Sequence, residues 1–101
     1  MNFNEKVWAL TQKIPKGNIT TYKEIAKKLR TKAYRRVGQA LKCNPYAPKV
    51  PCHRVVASDG SLGGYDGKMR SPKKIRLLSK EGVSVKDCRI EDFEKTLYRF
   101  S

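Results

Sequence analysis

With one histidine (His53) and three cysteines that form no Cys-x-x-Cys pair, the sequence lacks the ligands of a zinc ribbon or a multi-histidine metal centre. The odd number of thiols, Cys43, Cys52 and Cys88, does not suggest a disulfide framework either, so reduced thiols are expected. No apolar run approaches the roughly 20 residues of a membrane-spanning helix. The opening residues, Met1-Asn2-Phe3-Asn4-Glu5, lack the basic-then-apolar order of a secretory signal. These absences lead us to expect a cytoplasmic, nucleoid-associated or nuclear protein that is not secreted, with no membrane contact, no metal and no cofactor. Acid is scarce too: 9 Asp and Glu stand against 23 Lys and Arg, for a formal net charge of +14. Such a field attracts polyanions, and nucleic acid is the favoured partner over a lipid surface or an acidic protein.

In the 101 residues, 39% are hydrophobic, enough for one small domain. Phe3, Val7, Leu10 and Ile14 share a helical face, closed by Pro15-Lys16-Gly17-Asn18. Thr21-Tyr22-Lys23-Glu24 has the form of a capping box and opens a second helix with Tyr22, Ile25, Ala26 and Leu29 inward. A short link at Arg30-Thr31-Lys32 leads to a third helix with Val37, Ala40 and Leu41 inward, stopped by Asn44-Pro45. Two helices joined by a tight turn, the second bearing Arg35, Arg36 and Lys42, fit a helix-turn-helix, although plain helical hairpins look the same. Pro45, Pro48 and Pro51 then punctuate a rigid loop. Cys52 to Ala57 reads as a short strand, Ser58 to Ser61 as a turn, and Leu62 to Tyr65 as the returning arm of a small hairpin. Ser71-Pro72 supplies the N-cap and first position of a helix through Ile75 and Leu78, ending at Glu81-Gly82. In the tail, Ile90, Phe93, Leu97 and Phe100 stand at helical spacing. The expected class is mainly α with a small β-hairpin, a winged-helix-like helix-turn-helix domain over residues 1–82. An extension over 83–101, a short strand or loop and a helix, would pack on the same domain.

Pro51-Cys52-His53-Arg54 sets a thiol beside an imidazole and a guanidinium, and neighbouring cations favour the reactive thiolate. On a strand, adjacent side chains point to opposite faces, so a Cys–His contact would need a backbone turn or a bridging water. Taken alone, a buried cysteine and a lone histidine are more often packing than chemistry.

The surrounding motifs change that balance. Pro51-Cys52-His53-Arg54-Val55-Val56 stands with Ile14-Pro15-Lys16-Gly17, Thr21-Tyr22, Arg35-Arg36-Val37-Gly38, Asn44-Pro45, Leu62-Gly63-Gly64-Tyr65 and Leu77-Leu78-Ser79-Lys80-Glu81-Gly82. From Trp8 to Gly82 the chain resembles the C-terminal, DNA-binding and catalytic domain of O6-alkylguanine-DNA alkyltransferases, also called methylated-DNA–protein-cysteine methyltransferases. The resemblance implies that Cys52 takes the alkyl group from guanine O6 in a single-turnover transfer. His53 would receive the thiol proton through a water and Glu81 would orient His53. Tyr22 would donate to the departing guanine, and Asn44 would brace the loop before the nucleophile. It also implies that the third helix enters the minor groove, with Arg35 filling the space of a flipped nucleotide. Arg36, Thr21, Gly38, Arg54 and Lys42 would complete the DNA contacts. Tyr22, Val55, Gly63, Gly64, Tyr65, Asp66 and Lys74 would line the base pocket. The implied partner is double-stranded DNA containing O6-alkylguanine, bound by a monomer.

Four features depart from the family pattern. Arg36 stands where a small residue is usual, and Tyr65-Asp66-Gly67-Lys68 replaces a Ser- and Gly-rich stretch. The usual N-terminal domain has no counterpart, which leaves room for a partner in its place. The segment 83–101 has no counterpart either. Three rival readings remain: a non-enzymatic alkyltransferase-like lesion binder, whose relatives usually lack the cysteine, a winged-helix DNA-binding regulator, and a Cys-His hydrolase.

Overall fold

The computed structural model describes residues 2–46, 49–65, 68–69 and 71–100. Helix α1 (Phe3–Thr11) begins at Asn2, whose side chain accepts from Glu5 N at 2.8 Å while Glu5 Oε1 accepts from Asn2 N at 3.2 Å, a reciprocal cap. The helix stops at Thr11, earlier than the stripe ending on Ile14 implied. Ile14 is nonetheless buried, in the turn that follows. Strand β1 (Thr20–Thr21) runs into α2 (Tyr22–Lys28), where Thr21 Oγ1 accepts from Glu24 N at 3.0 Å. Helix α3 (Tyr34–Lys42) buries Val37, Ala40 and Leu41, the residues its sequence stripe picks out. The indole of Trp8 ties α1 to α3 by donating to Ala40 O at 2.7 Å.

The expected strand over Cys52–Ala57 is only partly formed. Cys52–Arg54 is a turn of 3-10 helix, and Val55–Val56 alone makes β2, which pairs in parallel with β1 (Thr20↔Val55, Thr21↔Val56). The expected hairpin is also rearranged. Ala57 N still reaches Ser61 O at 2.9 Å, but the arms beyond are claimed by other segments. The described hairpin on this side joins β3 (Gly64–Tyr65) to β4 (Lys68–Met69). Ser71 caps and Pro72 opens α4 (Pro72–Lys80), as their order implies.

Residues after Gly82 depart most from their pattern. Val85–Lys86 (β5) and Arg89–Ile90 (β6) form an antiparallel hairpin, and α5 is only Phe93–Thr96. Ile90 therefore lies on a strand and Leu97 beyond the helix, because backbone pairing outcompetes the helical stripe. Leu62 N bonds Cys88 O at 3.0 Å and Ile90 N bonds Gly60 O at 2.9 Å. Leu97 bridges Ile19 in parallel, and Tyr98 N donates to Ile19 O at 2.7 Å. The tail thus covers the edge of β1 that β2 leaves open.

Two apolar clusters result. One gathers Val7, Leu10, Ile14, Ile25, Ala26, Val37, Ala40, Leu41 and Val55 among the first three helices. The other gathers Ile19, Val56, Leu62, Leu78, Val83 and Ile90 under α4 and the tail. Val55 and Val56 enter different clusters because successive strand residues point to opposite faces. The 3-10 turn that carries Cys52 leads straight into this seam.

Candidate functional site

The 3-10 turn answers the objection raised by adjacency. At about three residues per turn, neighbours diverge by about 120° rather than pointing oppositely as on a strand. Cys52 is half-buried against the first cluster, whereas His53 is only 2% exposed. His53 Nε2 lies 3.1 Å from Glu81 Oε2, at the C-terminal end of α4. Burial pulls the His53 pKa below 6.5 against the raising influence of Glu81, and the charges of Arg54 and Lys74 push the same way as burial. A neutral ring facing a carboxylate carries its proton on Nε2. Nδ1 is then the basic nitrogen, and it is buried with no protein hydrogen-bond partner among the described residues.

Arg54 was expected at the DNA surface, but its guanidinium is turned inward. It grips both Glu81 oxygens, Nε to Oε1 at 2.8 Å and Nη2 to Oε2 at 2.6 Å, and donates from Nη1 to Ile14 O at 2.8 Å. Burial alone would raise the Glu81 carboxyl, but hydrogen bonds from Arg54 and His53 outweigh it and hold the group below its ordinary value. Glu81 is therefore a fixed anion with one face for the arginine and one for the histidine.

Lys74 and Val55 also depart from expectation. Lys74 is wholly buried instead of facing an open pocket, and its Nζ donates to Val55 O at 2.8 Å and to Leu62 O. Burial pulls its pKa down to about 8, with the nearby Cys52 sulfur acting in the opposite direction. Val55 turns its side chain into the first cluster, and its carbonyl is what faces Lys74. A signal existed for Lys74, which stands four residues before Leu78 on the buried stripe of α4.

Tyr22 is half-buried at the first turn of α2, against Gly63. A Cβ on Gly63 would lie 2.8 Å from the Tyr22 hydroxyl, and φ there is +69°, so only glycine fits without strain. Gly64 and Tyr65 lie on β3, and Asp66 falls outside the described residues, as does Pro48 of the preceding loop. Asn44 spans the loop before Cys52. Its Nδ2 donates to Val50 O at 2.9 Å, its Oδ1 accepts from Tyr46 N at 2.9 Å, and Cys52 N then bonds Val50 O at 2.8 Å.

On α3 the outward face holds Arg35, Gln39 and Lys42, all exposed, with Gly38 beside them. A Cβ built on Gly38 meets nothing within 4 Å. Arg36 leaves this face, and its guanidinium stacks 4.2 Å over the Phe3 ring of α1, a cation–π contact. The long cation expected at the DNA is thus folded back along the domain. Thr21, also expected at the DNA, is 3% exposed and spends its hydroxyl on the α2 cap. Among the described residues no group of three His, Cys, Asp or Glu could hold a metal ion, and no helix is long and apolar enough to cross a membrane.

Comparison with known proteins identifies the family and the fold. Residues 2–83 match the family described as 6-O-methylguanine DNA methyltransferase, DNA binding domain. A methylated-DNA–protein-cysteine methyltransferase of Candida glabrata is 39% identical over 98% of this chain and 49% of its own length. The chain thus spans about half the length of that curated relative. Among solved structures, S. pombe Atl1 in complex with damaged DNA containing O6-carboxymethylguanine superposes with a TM-score of 0.82 at 28% identity, covering 97% of this chain and 95% of the other. Mycobacterium tuberculosis OGT in complex with DNA gives a TM-score of 0.73 at 40% identity, covering 80% and 50%. The mainly helical fold with small sheets is the one these DNA-bound proteins share.

Proposed function

Because this chain belongs to the family of 6-O-methylguanine DNA methyltransferase DNA-binding domains, we propose that it repairs DNA by moving an alkyl group from guanine O6 to Cys52. The observation that carries this reading is the His53 ring, held neutral with Nε2 on Glu81 and Nδ1 open beside the nucleophile's turn. His53 Nδ1 accepts the thiol proton by way of a water. The Cys52 sulfur attacks the alkyl carbon, the carbon–O6 bond breaks, and guanine leaves with the bonding pair. Tyr22 donates to that leaving guanine, and the thioether formed on Cys52 ends the protein's activity after one turnover. Arg35 leads α3 into the minor groove and fills the space of the flipped nucleotide.

The likeness to Atl1 over nearly the whole of both chains favours a second reading, recognition of the lesion without transfer. A binding protein needs neither a thiol nor an imidazole held with one nitrogen open, which is why transfer is preferred. Incubation with a duplex containing one O6-methylguanine, followed by intact mass measurement, separates the two. Transfer adds one methyl, mapped to the Cys52 peptide, and Cys52→Ala binds the duplex with no mass gain. Tight binding at unchanged mass in the unaltered protein would establish the binder instead, and methylation of Cys43 or Cys88 would refute the site.

A further inference from the structure

Two helices of this chain end in the same backbone motif with different residues. After α4, Gly82 N bonds Ser79 O at 3.1 Å and Val83 N bonds Leu78 O at 3.0 Å, with Gly82 at φ +85°. After α2, Arg30 N bonds Lys27 O at 3.1 Å and Thr31 N bonds Ala26 O at 3.0 Å, with Arg30 at φ +57°. The motif asks for a left-handed residue at this position, which glycine supplies without strain and a side chain does not. The fold therefore explains the conformation of residue 30 but not the arginine.

The surroundings of Arg30 suggest what its side chain is for. Lys23 and Lys27 stand four residues apart on the exposed face of α2, where like charges repel, and Arg30 follows in the left-handed turn beyond the helix end. Among the described residues, the side chains of Lys23, Lys27, Arg30 and Lys32 make no hydrogen bond or ion pair. Lys27 and Arg30 line two concave surfaces at once. One runs past Lys32 to Tyr34, the first residue of α3, and the other past Glu24 to Arg99 of the tail. A strained arginine thus stands among exposed cations on a surface that leads to the first residue of α3.

We propose that Lys27 and Arg30 form a phosphate-binding crest that carries the DNA backbone beyond the α3 contact. This inference rests on the DNA-binding reading above and extends it to residues that touch neither lesion nor pocket. A phosphodiester chain supplies the closely spaced negative charge that relieves the repulsion, and counterion release makes each contact sensitive to salt.

The test uses the whole chain and an undamaged duplex of two helical turns, titrated across a salt series, with thermal melting alongside. Arg30→Gly is expected to weaken binding about three- to tenfold and to lower the slope of log affinity against log salt by about one. Its melting temperature should hold or rise, since glycine relieves the left-handed strain. Lys27→Gln should weaken binding in the same way without touching the motif. Unchanged affinity and slope in both variants would overturn the crest while leaving the α3 reading intact. A wild-type protein that does not bind duplex DNA removes both readings. Loss of polyglutamate binding with DNA binding preserved would assign the crest to an acidic protein and refute the proposal.

Discussion

Charge is handled in opposite ways in two regions of this small molecule. Around Cys52 the described ionic groups are partnered: Arg54 grips Glu81 with two donors, Glu81 holds His53, and Lys74 is fixed by two carbonyls. Along α2 and the exposed face of α3, cations stand side by side, and among the described residues Lys23, Lys27, Arg35 and Lys42 make no hydrogen bond or ion pair. A buried ion that loses its partner costs far more than an exposed one, so the interior network must be complete before any ligand arrives. The exposed cations gain most of their interaction energy only when a polyanion binds. The first region is held by its own contacts and the second is not, so substitutions in the two should fail in different ways.

The largest effect is expected at Glu81. Glu81→Gln removes the charge that both Arg54 and His53 address, and about 2 kcal/mol of stability should go with these part-buried, charge-assisted hydrogen bonds. The alkyl-transfer rate should fall about 100-fold, the usual scale of a general-base arrangement. The pH profile distinguishes a positioning role from simple unfolding. In the unaltered protein, transfer should decline as pH falls through the His53 pKa, which lies below 6.5, because a protonated Nδ1 accepts nothing. Without Glu81 the ring loses the influence that raises its pKa, so the acid limb should move to still lower pH. A limb that stays in place would mean that Glu81 does not govern His53. Stability should also fall on acidification. Unfolded His53 takes up a proton from about pH 6.5 downward before the folded ring does, and the Glu81 contribution is lost as pH falls from 4.5 toward its lowered folded pKa, because the unfolded carboxyl protonates first.

Lys74 moves stability in the same direction with pH, over a higher window. Its folded pKa of about 8 lies below the ordinary 10.5, so between those values the unfolded chain binds more protons. Stability should therefore rise with pH across this window, relieving a burial cost of about 3 kcal/mol that is fully present below it. Lys74→Met should flatten that rise, as measured by chemical denaturation on either side of the window. An identical rise in the variant would show that another group titrates there.

Where a residue's role could be read from its neighbours in sequence, the reading holds. Thr21 before Glu24, Ser71 before Pro72, and the Val37, Ala40 and Leu41 stripe all specify local structure that the fold realises. What escaped was set by partners distant in the chain. Arg54 looks like a surface cation until Ile14 and Glu81 are brought to it from 40 residues before and 27 after. Arg36 looks like a groove contact until Phe3 offers its ring. Ile90 and Leu97 carry a helical stripe that yields once Gly60 and Ile19 present free backbone groups. The adjacency of Cys52 and His53 was ambiguous for a related reason. Whether two neighbours share a face depends on strand or 3-10 geometry, and the parallel pairing with Thr20 and Thr21 confines the strand to Val55 and Val56.

The smallest expected effect tests the exposed region. Gly38 lies inside α3, where glycine is about 1 kcal/mol worse than alanine, and nothing lies within 4 Å of a Cβ placed there. Gly38→Ala should therefore stabilise the free protein by somewhat less than about 1 kcal/mol, since no interior contact resists the methyl group. If the open face exists for close approach of a DNA backbone, the same methyl should weaken duplex binding a fewfold while the reaction with free O6-benzylguanine keeps its rate. A variant that is more stable and binds equally well would mean that the duplex never comes close to Gly38. That result would move the contact toward Arg35 and Lys42 and leave the glycine without a role in binding.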